Sequence, residues 1–285
     1  MVYIFSEINY FYLFLASLIY FISYFLRAIR VKFLLQNQDI GIFKLLGINL
    51  IHNFYNRILP ARLGDFSLIF LLNKFTKKSV NSSVNAFIFI KLYDFSISLF
   101  LFTVSYTLIY KINGISIGAW ITTILAFVVS FKPSAMLILL LKFMDKFDKY
   151  YLINKLNKNI VLLIGNSEEV ERGNKRVWLL FASLGIWILI TLIFYFLLFS
   201  INKNFGLGNT FFATNLANFS WILPINGIGG FGTMEVSMAY AYSLRGYLFQ
   251  DVLIYALYTN IVVFILSTLF AVIPGIKLLK RVNRE

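Results

Sequence analysis

The chain has 285 residues, 60% of them apolar and 19% aromatic, where an ordinary soluble domain is roughly 45–50% apolar. A soluble domain of this size cannot cover so much apolar surface, but helices in a bilayer need no cover, so the fold class is an all-α polytopic transmembrane helical bundle. Cysteine is absent and His52 is the one histidine, which excludes disulfides, thiolate nucleophiles and Cys or multi-His metal sites; the net charge of +14 sits in clusters beside apolar runs, which reads as membrane topology and not as nucleic-acid binding.

In chain order, the first apolar run, residues 8–26, has no basic residue before it and Arg27 and Arg30 after it, so it crosses from outside to inside. It lacks the basic n-region and the cleavage site of a signal peptide. A broken apolar segment covers 41–75. Residues 86–110 then cross outward, and 115–131 return, ending at Lys132 and Pro133. The apolar piece 136–143 is too short to span and is placed at the cytoplasmic interface. Glu168, Glu169 and Glu171 lie among basic residues in a polar loop and read as the solvated face of a short helix. Residues 177–201 cross outward, a second broken segment covers 210–244, and 251–273 bring the C-terminus to the cytoplasm. The result is five full crossings with an external amino terminus, in a multi-pass protein of the inner (cytoplasmic) membrane. Basic clusters at Lys74, Lys77 and Lys78, between Lys142 and Arg176, and from Lys277 to Arg284 then face anionic lipid headgroups on the cytoplasmic side.

The two broken segments carry the functional signal. LPARLGD (59–65) sets Arg62 and Asp65 in an apolar run interrupted by Pro60 and Gly64; LPINGIGGFGTME (223–235) is interrupted by Pro224, Gly230 and Gly232 and ends at Glu235. Charges and helix breakers are expensive at membrane depth, so a chain that keeps them there is using them. By the charge bias each segment starts and finishes on one side, the first on the cytoplasmic side and the second outside, so both are hairpins, of opposite topology; fully spanning and re-entrant forms both fit. Asn53-Phe54 before Ile58-Leu59-Pro60 is echoed by Asn218-Phe219 before Ile222-Leu223-Pro224, which supports an inverted repeat whose tips meet inside the membrane. Asn49, Asn53 and Asn56 fall on one helical face beside His52 and turn toward protein or water, either to meet a ligand or to bond a neighbouring helix. His52 reads as a satisfied polar residue. Arg62 faces an anion or forms a salt bridge, with Asp65, Asp94 and Glu235 as its candidate partners. Gly227, Gly229, Gly230 and Gly232 are spaced for close backbone approach, not as a nucleotide loop.

At these residues the chain resembles the lysylphosphatidylglycerol synthase transmembrane region, a flippase-like integral membrane family. The resemblance runs through LRAIRVKFLL (26–35), NRILPARLGD (56–65), KLYDFSISL (91–99) and LPINGIGGFGTMEVSM (223–238). Family members carry a further hydrophobic segment before the stretch matching LRAIRVKFLL, whereas one is present here. The resemblance implies one flippase-like transmembrane domain over 1–285, without the soluble aminoacyl-transferase domain. It further implies lipid binding and movement of a polar-headed phospholipid or other lipid between leaflets. The positions matching the family pattern are Pro60, Arg62, Gly64, Asp65, Asp94, Pro224, Gly230, Gly232 and Glu235. Arg62, Asp65, Asp94, Gly230, Gly232 and Glu235, together with Asn53 and Asn56, form the expected headgroup site, while Pro60, Gly64 and Pro224 form its helix breaks. No cofactor, metal or catalytic residue is expected, because no recognised catalytic or nucleotide motif occurs. Uphill movement then needs an ion gradient or the membrane potential, with Asp65, Asp94 or Glu235 as proton carriers. Two other classes compete: a scaffold or regulatory subunit with envelope-assembly protein partners, and a membrane-embedded lipid-modifying enzyme with Asp94 or Glu235 as base.

Overall fold

The computed structural model describes residues 8–35, 40–144, 146, 151–172, 174–222 and 231–282, and every regular element among them is helical. The α-helices are α1 (Tyr10–Leu35), α2 (Ile42–Ile58), α3 (Asp65–Thr76), α4 (Val80–Tyr110), α5 (Gly114–Phe131), α6 (Pro133–Met144), α7 (Tyr151–Glu171), α8 (Lys175–Ser200), α9 (Leu207–Ile222), α10 (Thr233–Ser243) and α11 (Phe249–Val282). Five of them, α1, α4, α5, α8 and α11, are long and apolar enough to cross a bilayer, and they fall on the five crossings read from the sequence.

Several helices extend beyond their apolar stretches. α1 continues past Leu26 to Leu35, because Arg27 and Arg30 lie three residues apart on one helical face and Arg30 is turned into the bundle, 1% exposed. Both were read as flanking charges; both instead line a cavity inside the bundle. α4 begins at Val80, where the Ser79 side chain accepts a hydrogen bond from the Ser82 N–H as N-cap, and its polar first turns pack on α7 through a Ser167–Asn85 bond of 2.8 Å. The short helix expected around Glu168 is the end of the 21-residue helix α7, on which Glu168 and Glu169 are exposed. There the Glu171 carboxylate accepts the N–H and the hydroxyl of Ser134, at 2.7 and 2.8 Å, and so caps α6. α11 runs through Pro274, which packs so closely on α2 that a Cβ built at Gly47 would approach the proline ring to 2.9 Å.

Helices 1–4 and 8–11 follow the same plan of long helix, broken hairpin, long helix. α1 and α8 run antiparallel: the Asn9 N–H bonds the Ser200 carbonyl at one end, and Phe33 stacks on Trp178 at 4.3 Å near the other. The two halves are therefore inverted relative to each other. Each also lends its longer hairpin arm to the last helix of the other half. α2 lies antiparallel on α11, with Gly47 near Pro274 and Arg57 near Asn260; α9 lies antiparallel on α4, with Phe212 over Phe102 and Phe219 by Phe95. This cross-packing is the architecture of an inverted repeat. In lipid, water does not drive helices together, so close contacts and internal polar bonds must. Ala213 and Ala217 of α9 and Ala239 and Ala241 of α10 are fully buried, and a Cβ at Gly185 of α8 would stand 3.2 Å from Leu26 of α1. The same antiparallel pairs bring Lys32 of α1 to the Lys175 end of α8, and Lys44 of α2 to the Lys277 end of α11. These basic clusters thus share one end of the bundle.

Candidate functional site

The first hairpin breaks where the sequence places a proline and a glycine. Leu59 is extended, Pro60 opens a single 3-10 turn that ends at Arg62, and Gly64 caps α3. Arg62 adopts a left-handed backbone with φ of 59°, a conformation that strains any residue with a Cβ. Gly64 is there for space: any side chain would collide with the backbone of Tyr55 and Asn56. The arms α2 and α3 have 17 and 12 residues, about 25 and 18 Å at 1.5 Å per residue, and the shorter falls well below the ~30 Å hydrocarbon thickness.

The second hairpin repeats these proportions, with 16 residues in α9 and 11 in α10. Its tip, 223–230, lies outside the described residues, and with it Pro224, Gly227, Gly229 and Gly230. The chain is described again from Phe231; Gly232 has a φ of 101°, which glycine tolerates best, and its N–H donates to the Glu235 carboxylate at 2.8 Å.

A second correspondence is chemical. Each short arm carries a carboxylate in its first turn, Asp65 in α3 and Glu235 in α10. A residue on the long helix that follows holds each one, at nearly the same separation in sequence. Lys91 donates to Asp65 at 2.6 Å from 26 residues on, and Asn260 donates to Glu235 at 2.6 Å from 25 residues on. Asp65 also accepts from Asn56 at 2.7 Å and stands 3.6 Å from the Arg62 Nε, whereas Asn260 turns its own carbonyl to Arg57 at 3.0 Å. That last bond joins the first half to the second.

Between the hairpins lies a cavity of about 350 Å³. Its polar wall holds Arg27 and Arg30 of α1, Arg57 and the asparagine face of α2, Arg62, Lys91 and Asp94 of α4, and Asn218 of α9; Leu68, Ile193, Phe194 and Val263 supply part of its apolar wall. Both halves contribute to it. Arg30 donates to both oxygens of Asp94, at 2.6 and 3.1 Å, and to the Ser183 hydroxyl at 2.8 Å, while the Trp187 indole N–H meets Asp94 at 3.2 Å. Such a buried pair needs this full set of bonds to offset its desolvation. Arg27 lies 5.3 Å from the Tyr24 ring centroid and forms no ion pair among the described residues.

Of the residues singled out from the sequence, Arg62, Asn53, Asn56 and Asp94 share the cavity wall. Asp65 stands behind it, bonded to Lys91 and Asn56. Glu235 and Gly232 lie off the wall at the start of α10, where Glu235 is 3% exposed. Pro60 and Gly64 shape the tip without lining the cavity. Arg62 pairs with Asp65; its other two candidate partners are engaged elsewhere, Asp94 by Arg30 and Glu235 by Asn260. The asparagine stripe does face protein, with Asn53 donating to the Tyr20 hydroxyl at 2.7 Å and His52 and Ser67 bonded across the two arms at 3.0 Å. Arg27, Arg30, Arg57 and Lys91 were not singled out as site residues. The available signal was spacing: Arg27 with Arg30, and Lys91 with Asp94, lie three apart in apolar helices, so each pair shares a face. Among the described residues no three His, Asp or Glu side chains gather closely enough to hold a metal ion.

Cations, amides and apolar side chains lining one cavity suit a ligand with an acidic head and a hydrocarbon tail. No curated protein and no solved structure matches the chain. A family model described as the Lysylphosphatidylglycerol synthase TM region matches residues 2–271.

Proposed function

The chain belongs to the lysylphosphatidylglycerol synthase TM region family, and from that premise we propose that it takes a membrane lipid by its polar headgroup into the cavity between the hairpins and passes it between leaflets. One observation carries this reading: a cation-lined cavity sits where two inverted halves meet, with apolar side chains lining the rest of it. The headgroup phosphate meets Arg62 and its arginine neighbours, and the acyl chains stay against the apolar side. The inverted halves supply two related packings, and rocking one against the other exposes the cavity to each leaflet in turn. The protein acts as a binder and translocator without covalent chemistry. It sits in the inner membrane with its clustered basic end and its C-terminus in the cytoplasm, where anionic headgroups attract those clusters.

The test is translocation of a labelled phospholipid in proteoliposomes that carry the full chain. Arg62→Ala is expected to slow translocation at least tenfold, because a hydrogen bond to a charged group contributes about 1.5–3 kcal/mol. An inserted, folded Arg62→Ala protein with full translocation overturns the proposal.

A further inference from the structure

The charge on the cavity wall says which headgroup belongs there, provided that the cavity is a headgroup site as proposed above. Five cationic side chains line it, Arg27, Arg30, Arg57, Arg62 and Lys91, against one carboxylate, Asp94. Arginine stays protonated in proteins, so four of those charges are fixed. Asp94 is fully engaged, with both oxygens on Arg30 and one also on Trp187. Behind the wall, Asp65 is taken by Lys91, Asn56 and Arg62. Positive charge is thus left over, and it is clearest at Arg27, whose Nε is buried with no partner. A second unsatisfied donor points the same way. Asn218, the counterpart in the second hairpin of Asn53, lines the cavity with its Nδ2 buried and unbonded. Buried donors without acceptors are costly, so the missing component is rich in acceptor oxygens.

We propose that the occupant is a phosphate headgroup bearing two negative charges and no ammonium group, with phosphate oxygens on Arg27 and on the Asn218 amide. A monoester phosphate balances the surplus and supplies acceptors to both donors. An aminoacylated or zwitterionic headgroup brings a cation into a wall of cations, where the one carboxylate is already occupied. Discrimination therefore rests on repulsion of the wrong headgroup as much as on attraction of the right one.

Three short-chain lipids separate the classes: dioctanoyl phosphatidic acid, dioctanoyl phosphatidylcholine and a dioctanoyl lysyl-phosphatidylglycerol, with glycerol 3-phosphate as the soluble source of the same phosphate. Because the chain has no cysteine, a single Phe95→Cys probe on the cavity lining reports occupancy by protection from a soluble maleimide. Phosphatidic acid is expected to protect at concentrations about tenfold or more below the other two lipids, and Arg27→Gln to erase that advantage, as removal of a charged hydrogen-bond partner does. Arg27→Lys should restore part of it. Protection by glycerol 3-phosphate equal to that by phosphatidic acid keeps the dianionic phosphate and assigns it to a soluble source; protection by the lipid alone assigns it to lipid. Equal protection by all three lipids, or the tightest protection by the lysylated one, overturns the charge class while leaving the headgroup site standing. Protection by none of them removes the headgroup site itself. If Arg27→Gln does not fold, the ranking of the three lipids on the otherwise unaltered chain still decides.

Discussion

The two hairpins are built alike and charged differently. In each, a long arm is followed by a short one whose first turn carries a carboxylate, and the next long helix reaches back to hold it. In the first hairpin the holder is a cation, Lys91, a second cation stands at Arg62, and the Asp65 side chain keeps 13% of its exposure beside the cavity. In the second the holder is the neutral amide of Asn260, the carboxylate also caps its own helix, and Glu235 is 3% exposed. One geometry therefore serves two purposes. A charged, partly open version borders the cavity, and a neutral, closed version is tied through Asn260 to Arg57 of the other half.

The largest test removes the frame on which both hairpins lean. Asp94→Asn strands Arg30 inside the bundle, and breaking a buried pair from one side costs about 3–5 kcal/mol, so thermal unfolding of the purified protein should fall steeply. An unchanged melting temperature would mean that Arg30 has another counter-charge. Next, Glu235→Ala leaves the Asn260 amide and the Gly232 N–H without their acceptor, a loss of about 1–3 kcal/mol in stability with the order of lipid preference intact. A Glu235→Ala protein that melts normally but re-ranks its lipids reverses the roles assigned to the hairpins. Asp65→Asn is expected to do the opposite of Glu235→Ala. It removes a negative charge behind a cationic wall, which at ~8 Å and an effective dielectric of 20 is on the order of 2 kcal/mol, so acidic headgroups should bind at least about tenfold tighter; titration of the probe protection measures it. The smallest stability effect belongs to Arg62→Gly. Glycine suits the left-handed backbone there, so stability should change by less than about 1 kcal/mol while acidic lipids bind more weakly. Should Arg62→Gly melt far below the unaltered protein, Arg62 is a structural brace and not a ligand contact.

The scaffold was legible because lipid imposes a length rule on apolar helices, and Pro60 and Gly64 mark a break that backbone chemistry makes unavoidable. The charges were harder to place. Arg27 and Arg30 follow an apolar run, so a hydropathy reading ends the span in front of them; only their shared face, three residues apart, shows that the helix continues inward. The partner of Arg62 was confined to three carboxylates, and choosing among them needed to know that Arg30 from another helix had already taken Asp94. Lys91 and Asn260 look unrelated in sequence, one charged and one neutral, and their common duty appears only when the helices that carry them are packed.

The bond from Arg57 to Asn260 has a consequence for how the chain is made. Arg30 and Asp94 are 64 residues apart and both belong to the first half, so their charges can meet as soon as α4 has been inserted. Arg57 reaches Asn260 only across 203 residues, which at roughly 5–20 residues per second of synthesis is about 10–40 s later. Biogenesis therefore has an interval in which the first four helices are in the bilayer with their own ion pair formed and one arginine still waiting for its amide. Fragments ending before and after α11 should differ in their sensitivity to membrane proteases during that interval, and supplying the second half in trans should rescue the first.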